Sequence, residues 1–175
     1  MQEKIYQGMT FQTLLIHLEL IFNWQDTLDT SCPANFVMIP YCLSQNIPAL
    51  NFQKKIIELL NDQADAAHLP HPKIIATAPT DKAASKLKHG STIHRILGAS
   101  NRSNQFRYNK ENPVQCDVVI IDEASMIDIA LMARLLETVP ENARLIMLGD
   151  KNQLASVETG AVFGDICREK SCQTY

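Results

Sequence analysis

The second half of the chain alternates apolar runs with amphipathic stretches, which predicts strands separated by helices. Continuous apolar runs predict buried strands at 73–78, 117–122 and 143–149, because a strand covered on both faces shows no polar alternation. The sequence also predicts helices at 53–61, 127–139 and 160–169. It predicts a turn and helix at 79–88, with Thr80 or Asp81 as the N-cap, and a short helix at 91–98, with Ser91 or Thr92 as its cap and Gly98 as its stop. This order is typical of an α/β fold with a parallel sheet, in which ligands bind at the carboxyl ends of the strands.

The first half of the chain is less regular. Apolar spacing predicts an amphipathic N-terminal helix over 11–24. Residues 26–52 contain three prolines and only one weak candidate strand, NFVMI. The polar stretch 99–113, rich in Asn and Ser, is expected to form an exposed loop.

Composition narrows the class of protein. The net charge is −3, from 16 basic and 19 acidic residues, so any contact with DNA must rest on a local basic patch. Five cysteines without CxxC spacing argue against a disulfide framework or a zinc site and favour a reducing, cytoplasmic location. The most apolar N-terminal run, 13–22, contains His17 and Glu19 and predicts neither a signal peptide nor a membrane span.

Polar residues follow each of the three predicted strands, and these strand exits are expected to converge in space. Asp122 and Glu123 follow the strand at 117–122. An aspartate at a strand end can hold Mg²⁺ through water, and a neighbouring glutamate can orient or deprotonate the water that attacks a γ-phosphate. In the alternative interpretation, the two carboxylates only cap the following helix.

The other two exits offer groups that suit phosphates. Gln153, a few residues after the strand at 143–149, can hydrogen-bond a phosphate oxygen, unless GDKNQ is merely a solvent-exposed turn. Hydroxyls, helix N-terminal amides and cations that suit a DNA backbone follow the strand at 73–78, at Thr80, Lys82, Lys86, Lys88, His94 and Arg95. The alternative is a solvated basic face, which accounts for Lys86 and Lys88. The aromatic residues Phe106 and Tyr108 lie among basic residues and either stack on bases or have a structural role.

Taken together, these exits resemble one family. APTDKAASKL, STIHRILG, DVVIIDEASMID and RLIMLGDKNQLASVETGAVFGDI are similar to helicase motifs Ia, Ib, II and III of superfamily 1. The version is that of the RecD-like DNA helicases, the alpha subunit of exodeoxyribonuclease V. The resemblance implies a P-loop NTPase-like (RecA-like) domain with ATP and Mg²⁺ as cofactors. It also implies a DNA helicase in double-strand break repair and recombination, with single-stranded DNA and the beta and gamma subunits of exodeoxyribonuclease V as partners.

The resemblance also implies a role for individual residues. Asp122 resembles the magnesium-binding aspartate, Glu123 the catalytic carboxylate and Gln153 the γ-phosphate sensor, with Asp150 also in the nucleotide site. Gln25, in NWQ, resembles a glutamine that contacts adenine ahead of the phosphate loop. The segments that line single-stranded DNA in such motors contain Pro79, Thr80, Lys82, Thr92 and His94.

The chain departs from the family at the phosphate-binding loop. Such a loop needs the pattern G-x-x-x-x-G-K-[ST], because glycines let backbone amides curl round the phosphates and the lysine neutralises them. None of the six glycines is followed by lysine, and LSQNIPALN (43–51), where the loop belongs, contains neither residue type. Asp81 stands where motif Ia of the family has glycine, and its charge is expected to repel a DNA phosphate. The second motor domain and its arginines are also expected to be missing.

These departures define the expected organisation and function. We expect an N-terminal helical segment over 1–25, a degenerate region over 26–52 and an incomplete motor domain over 53–175. The first hypothesis is a truncated or degraded, catalytically impaired relative of the alpha subunit. The second is a non-catalytic module that binds DNA or partner subunits, and the third is an enzyme completed by another chain.

Overall fold

The structure is a computed structural model that describes residues 35–40, 49–99, 106–150, 163–165 and 173–174. The described strands are β1 (Asn35–Pro40), β2 (Ile74–Ala78), β3 (Ser91–Thr92), β4 (Val118–Ile121), β5 (Arg144–Gly149) and β6 (Gln173–Thr174). The helices are α1 (Ala49–Ala66), α2 (Asp81–Ala84), α3 (Ile93–Ile96) and α4 (Ile129–Thr138), with a 3₁₀ turn at Ala124–Met126. Residues 163–165 are also helical.

The strands form one parallel sheet in the order β3-β2-β4-β5-β1-β6. One row of the register runs through Thr77, Ile121, Met147 and Met38, from β2 to β1. Consecutive strands in the chain are not always neighbours in the sheet. For example, β4 and β5 lie between β1 and β2. The sheet confirms the predicted α/β class. The expected N-terminal helical segment lies outside the described residues.

The central strands are apolar because both faces of the sheet are covered. All four residues of β4 are buried, as are the last five residues of β5. The β4 and β5 side chains pack with those of α3 and α4 in one core cluster. Strands buried on both faces read as continuous apolar runs, which is why their sequence signal is strong.

Helix α1 has one buried stripe, formed by Gln53, Ile56, Leu60 and Ala64. Their spacing of three and four residues places them on one face of the helix. The helix ends where the Leu69 amide donates to the Ala64 carbonyl at 2.8 Å. None of the helices in the described residues is long and apolar enough to cross a membrane.

The three strand predictions are confirmed, since β2, β4 and β5 each lie within one residue of the predicted bounds. The weak strand NFVMI is also present, as β1, next to β5. Gly98 ends α3 as predicted, with a left-handed φ of 72°.

Several helix predictions need correction. Helix α1 is longer than the predicted 53–61, because its buried stripe continues to Ala64. Helix α2 has the predicted N-cap, Thr80, but it is a single turn and does not continue towards residue 88, since the backbone tightens to i→i+3 bonds after Ala84 and reverses at His89. Helix α4 begins later than the predicted 127, because Asp128 is its N-cap.

The short helix predicted within 91–98 is present, with Thr92 as its N-cap. Ser91 and Thr92 pair with β2 as a short parallel strand, and only Ile93–Ile96 are helical. The buried Thr77 hydroxyl donates to the Ser91 carbonyl at 2.8 Å, which satisfies that hydroxyl and holds β3 against β2.

Candidate functional site

Three strand exits meet at the carboxyl edge of the sheet. Because β2, β4 and β5 are adjacent and parallel, the residues that follow them lie along one edge. These are Pro79 and Thr80 after β2, Asp122 and Glu123 after β4, and Asp150 after β5. This is the convergence that the sequence predicted, at the place where parallel α/β sheets bind ligands.

Asp122 is held rigidly at the end of β4. Its side chain is buried, at 4% exposure, and its Oδ1 accepts a hydrogen bond from the Glu123 amide at 3.0 Å. Its own amide donates to the Thr77 carbonyl of β2 at 2.9 Å. A buried carboxylate that is fixed by two neighbouring strands is well placed to hold a cation in one position.

Glu123 has an unusual backbone conformation. Its φ and ψ are 55° and 38°, in the left-handed region that non-glycine residues seldom adopt. Its side chain makes no capping hydrogen bond to the 3₁₀ turn that follows. Helix α4 is capped instead by Asp128, whose Oδ1 accepts from the Leu131 amide at 2.8 Å. Glu123 therefore does not act as a helix cap, and its carboxylate lies beside Asp122.

The carboxylates at this edge repel one another. The pKa of Glu123 is raised from its ordinary value, first by burial and then by the negative charges of Asp122 and Asp150. The positive charge of Lys86 opposes the shift. Like charges held together in a partly buried turn favour the arrival of a cation.

The end of β5 approaches the turn after β4 very closely. A Cβ atom on Gly149 would lie 3.0 Å from the Ser125 amide nitrogen and 3.0 Å from Cε1 of Phe163. Phe163 is 1% exposed and belongs to the core cluster. Glycine at this position therefore lets β5 and the β4 turn pack together, which fixes Asp150 relative to Glu123.

The hydroxyls predicted to line DNA are both helix caps. The Thr80 hydroxyl accepts from the Ala83 amide at 3.2 Å, and the Thr92 hydroxyl accepts from the Arg95 amide at 3.4 Å. Each hydroxyl keeps its proton to donate to another group. Pro79 is half-buried between β2 and α2.

The charged residues of the same segments point to solvent. Lys82 and His94 are exposed, as are Asp81, Lys86, Lys88 and Arg95. Asp81 opens the first turn of α2 and places a negative charge among these cations. The strip of exposed cations runs beside Thr80 and Thr92 at the carboxyl edge.

The stretch 106–113 is more than an exposed loop. Phe106 and Tyr108 are half-buried and pack against the core cluster, which corrects the expectation from sequence. The Phe106 ring lies 6.4 Å from the His94 ring, and the Arg107 guanidinium lies 5.4 Å from the centre of the Tyr108 ring. The aromatic residues therefore have a structural role, in fixing this stretch beside His94.

Two predicted nucleotide-site residues, Gln25 and Gln153, lie outside the described residues. The alternative of a solvated face for Lys86 agrees with its exposed side chain. Its positive charge opposes the rise in the pKa of Glu123.

The carboxylate side of the site suits Mg²⁺, whereas the phosphate side does not suit ATP. The described residues contain no group of three or more acidic, His or Cys side chains that could hold a metal alone. Mg²⁺ usually needs only one or two carboxylates, because water and substrate phosphates complete its shell. Asp122 meets that need, but the segment before α1 has no glycine or lysine to hold the phosphates.

Comparison with known proteins identifies the family of the chain. A family model described as an AAA domain (AAA_19) matches residues 52–159, more than half of the chain. The RecBCD enzyme subunit RecD of Mycolicibacterium smegmatis is 39% identical over 134 residues, covering 64% of this chain and 24% of the relative. The ATP-dependent RecD2 DNA helicase of Deinococcus radiodurans is 40% identical over 102 residues, covering 55% and 14%.

Among solved structures, Bacteroides sp Pif1 in complex with ADP-AlF4 aligns with a TM-score of 0.48 and 19% identity, over 85% of this chain and 35% of that one. The chain spans a quarter or less of the length of the curated relatives described above. Because the AAA domain model covers more than half of the chain, including β2 to β5, the chain belongs to the AAA domain family (AAA_19).

Proposed function

We propose that the chain carries the carboxylate side of the ATP site of a RecD-like DNA motor, and that alone it does not hydrolyse ATP. One observation carries the proposal. Glu123 follows β4 in a left-handed turn that its side chain does not cap, and Asp128 caps α4, so the Glu123 carboxylate lies at the carboxyl edge beside the buried Asp122.

Each residue of this edge has a role in the proposal. Asp122 would hold Mg²⁺ through water, and bound Mg²⁺ neutralises charge on transferring phosphates. Glu123 would orient the attacking water, while Asp150, Gln153 and Gln25 would belong to the nucleotide site, as in the family. In this proposal the isolated chain does not hydrolyse ATP because it does not bind the nucleotide.

The missing phosphate loop is the reason. Helix α1 begins at Ala49, inside the stretch 43–51 where the G-K-[ST] of the loop belongs. Without glycines the backbone amides cannot form a phosphate cradle, and without lysine the phosphate charge is not neutralised. The site thus keeps its carboxylates and lacks the groups that bring ATP to them.

A second candidate function is a binding module. The exposed cations Lys82, Lys86, Lys88 and Arg95 and the exposed His94 lie in the two segments that contain Thr80 and Thr92. A basic strip with hydroxyls suits the backbone of single-stranded DNA. Because one relative is named as a subunit of the RecBCD enzyme, the beta and gamma subunits of such an enzyme are the proposed protein partners.

The test is ATP turnover by the intact chain with Mg²⁺, ATP and single-stranded DNA. We expect the same background rate from the wild type and from Glu123→Gln. A robust wild-type rate that Glu123→Gln abolishes would contradict the proposal. A positive control restores the loop pattern with four substitutions, Leu43→Gly, Pro48→Gly, Ala49→Lys and Leu50→Thr.

The restored variant tests the loss of the phosphate loop separately from the assignment of Asp122 to the metal site. We expect it to bind Mg²⁺–ATP in a fluorescent-nucleotide titration, and we expect Asp122→Asn to weaken that binding. If the restored variant folds and binds nucleotide equally well with Asp122→Asn, the assignment of the metal site is wrong. Binding of single-stranded DNA that weakens steeply with salt and loses affinity in Lys82→Gln supports the second function.

A further inference from the structure

Residues 106–108 pack along helix α3, and they lie outside the segments that resemble helicase motifs. The Phe106 ring lies 6.4 Å from the His94 ring. Gly98, which ends α3, is so close to this stretch that a Cβ atom on the glycine would lie 2.6 Å from Cβ of Arg107. The stretch therefore follows α3 from His94 to its end, and it carries Arg107 to the end of the helix.

Arg107 has a fixed backbone and an exposed side chain. The Tyr108 amide donates to the Leu97 carbonyl at 3.2 Å, and the Asn112 side-chain amide donates to the Arg107 carbonyl at 3.1 Å. The guanidinium lies 5.4 Å from the centre of the Tyr108 ring, a distance at which a cation and an aromatic ring attract each other. Because the Tyr108 ring packs against the core cluster, it supports the guanidinium at the surface.

This packing places Arg107 beside the exposed cation of α3. The Gly98 amide donates to the Arg95 carbonyl at 3.0 Å, so Arg107 lies about one helical turn beyond Arg95. The ion pairs of the described residues include neither of these two arginines, whereas the exposed Arg134 of α4 is paired with Glu137 at 3.1 Å. Arg95 and Arg107 therefore offer two positive charges to an external anion.

A chain of phosphates is the anion that suits this arrangement. Arginine presents a planar fork of N–H donors that matches the oxygens of a phosphate, and stacking on an aromatic ring restricts its orientation. The Thr92 hydroxyl, at the other end of α3, accepts from the Arg95 amide and keeps its proton to donate. Donors at both ends of one short helix suit an extended phosphate backbone more than a single small anion.

We propose that Arg107 is a further contact for the phosphate backbone of single-stranded DNA, and that it extends the strip of exposed cations beyond α3. This inference rests on the proposed DNA-binding function. It goes beyond that function because Arg107 lies outside the four segments that resemble helicase motifs. In this arrangement Tyr108 supports the guanidinium, and Gly98 leaves the space that the Arg107 backbone occupies.

The test is the affinity of the intact chain for a fluorescent single-stranded oligonucleotide over a series of salt concentrations. Each phosphate contact on a single strand contributes about 0.7 to the slope of log K against log salt, so Arg107→Gln should reduce that slope by about 0.7. Over the range from about 1 M to about 50 mM salt, the same contribution corresponds to a loss of affinity of about fivefold to tenfold. Arg134→Gln is the matched control, because it removes one exposed arginine elsewhere and should change affinity less than about twofold.

Arg107→Lys tests the charge and the shape of the side chain separately. It keeps the charge but not the planar fork, so it should keep the salt slope of the wild type and recover only part of the affinity. A slope as low as that of Arg107→Gln would show that the charge at this position does not contact phosphate.

Equal affinities and equal slopes for Arg107→Gln and Arg134→Gln would overturn the inference while leaving DNA binding in place. If the folded wild type does not bind the oligonucleotide, both this inference and the binding function fall. Circular dichroism of each variant establishes that it is folded.

Discussion

Gln53 is a polar residue in an apolar position, and its replacement should stabilise the protein. Its side chain is 1% exposed and lies on the buried stripe of α1 with Ile56 and Leu60. Its Nε2 group finds no hydrogen-bond partner in the described part of the chain. Methionine is the matched replacement, because it is also long and unbranched and has no polar hydrogen to satisfy.

The size of the expected gain in stability follows from the burial of the Gln53 amide. A buried donor without a partner costs about 1–3 kcal/mol of stability, and methionine removes that cost without leaving a cavity. We therefore expect Gln53→Met to raise the free energy of unfolding by about 1–3 kcal/mol. For a chain of this size, the change corresponds to an increase in Tm of about 2–12 °C.

Urea unfolding followed by circular dichroism measures this change, with Gln63→Met as the control. Gln63 lies on the same helix but is only half-buried, so its replacement should change stability by less than about 0.5 kcal/mol. If Gln53→Met is neutral or destabilising while Gln63→Met is neutral, the Gln53 amide is satisfied in solution. Burial of the Gln53 amide would then carry no cost in stability, contrary to the prediction.

Two further predictions concern the turn after β4. Asp128→Ala removes the side chain that accepts a hydrogen bond from the Leu131 amide, and it should lower the free energy of unfolding in urea by about 1 kcal/mol. Asp128→Asn keeps a capping oxygen and should lower it little. Glu123→Gln should be more stable than the wild type at pH 7, because the raised pKa means that the folded state loses stability as Glu123 ionises. That advantage should disappear as the pH falls below the ordinary pKa of a glutamate, and an advantage independent of pH would contradict the charge repulsion from Asp122 and Asp150.

Much of the sheet could be predicted from the sequence. The runs that became β2, β4 and β5 are mostly apolar, because side chains on both faces of a central strand are covered. The position of the candidate site could also be predicted, since the carboxyl ends of parallel strands lie at one edge of the sheet. The cap at Thr80 and the stop at Gly98 were also visible, because each depends on one residue and its nearest neighbours.

Helix ends were predicted less well, because they depend on what the helix packs against. Helix α2 stops after one turn, where Gly90 packs against the Ala84 carbonyl, and no periodicity in the sequence reports that contact. Phe106 and Tyr108 were assigned to a polar loop, yet a core formed by distant segments covers them. Local composition cannot reveal a partner that lies far along the chain.

The sequence by itself determined the parallel α/β class, the motifs that carry the family and the loss of the phosphate loop, since all three are properties of residue type and local order. Only the tertiary structure decided how those residues can act. It placed Glu123 in a left-handed turn, buried Asp122, and packed the end of β5 against the turn that follows β4. These features arise between neighbouring strands, because electrostatic and packing interactions depend on distance in space and not on separation along the chain.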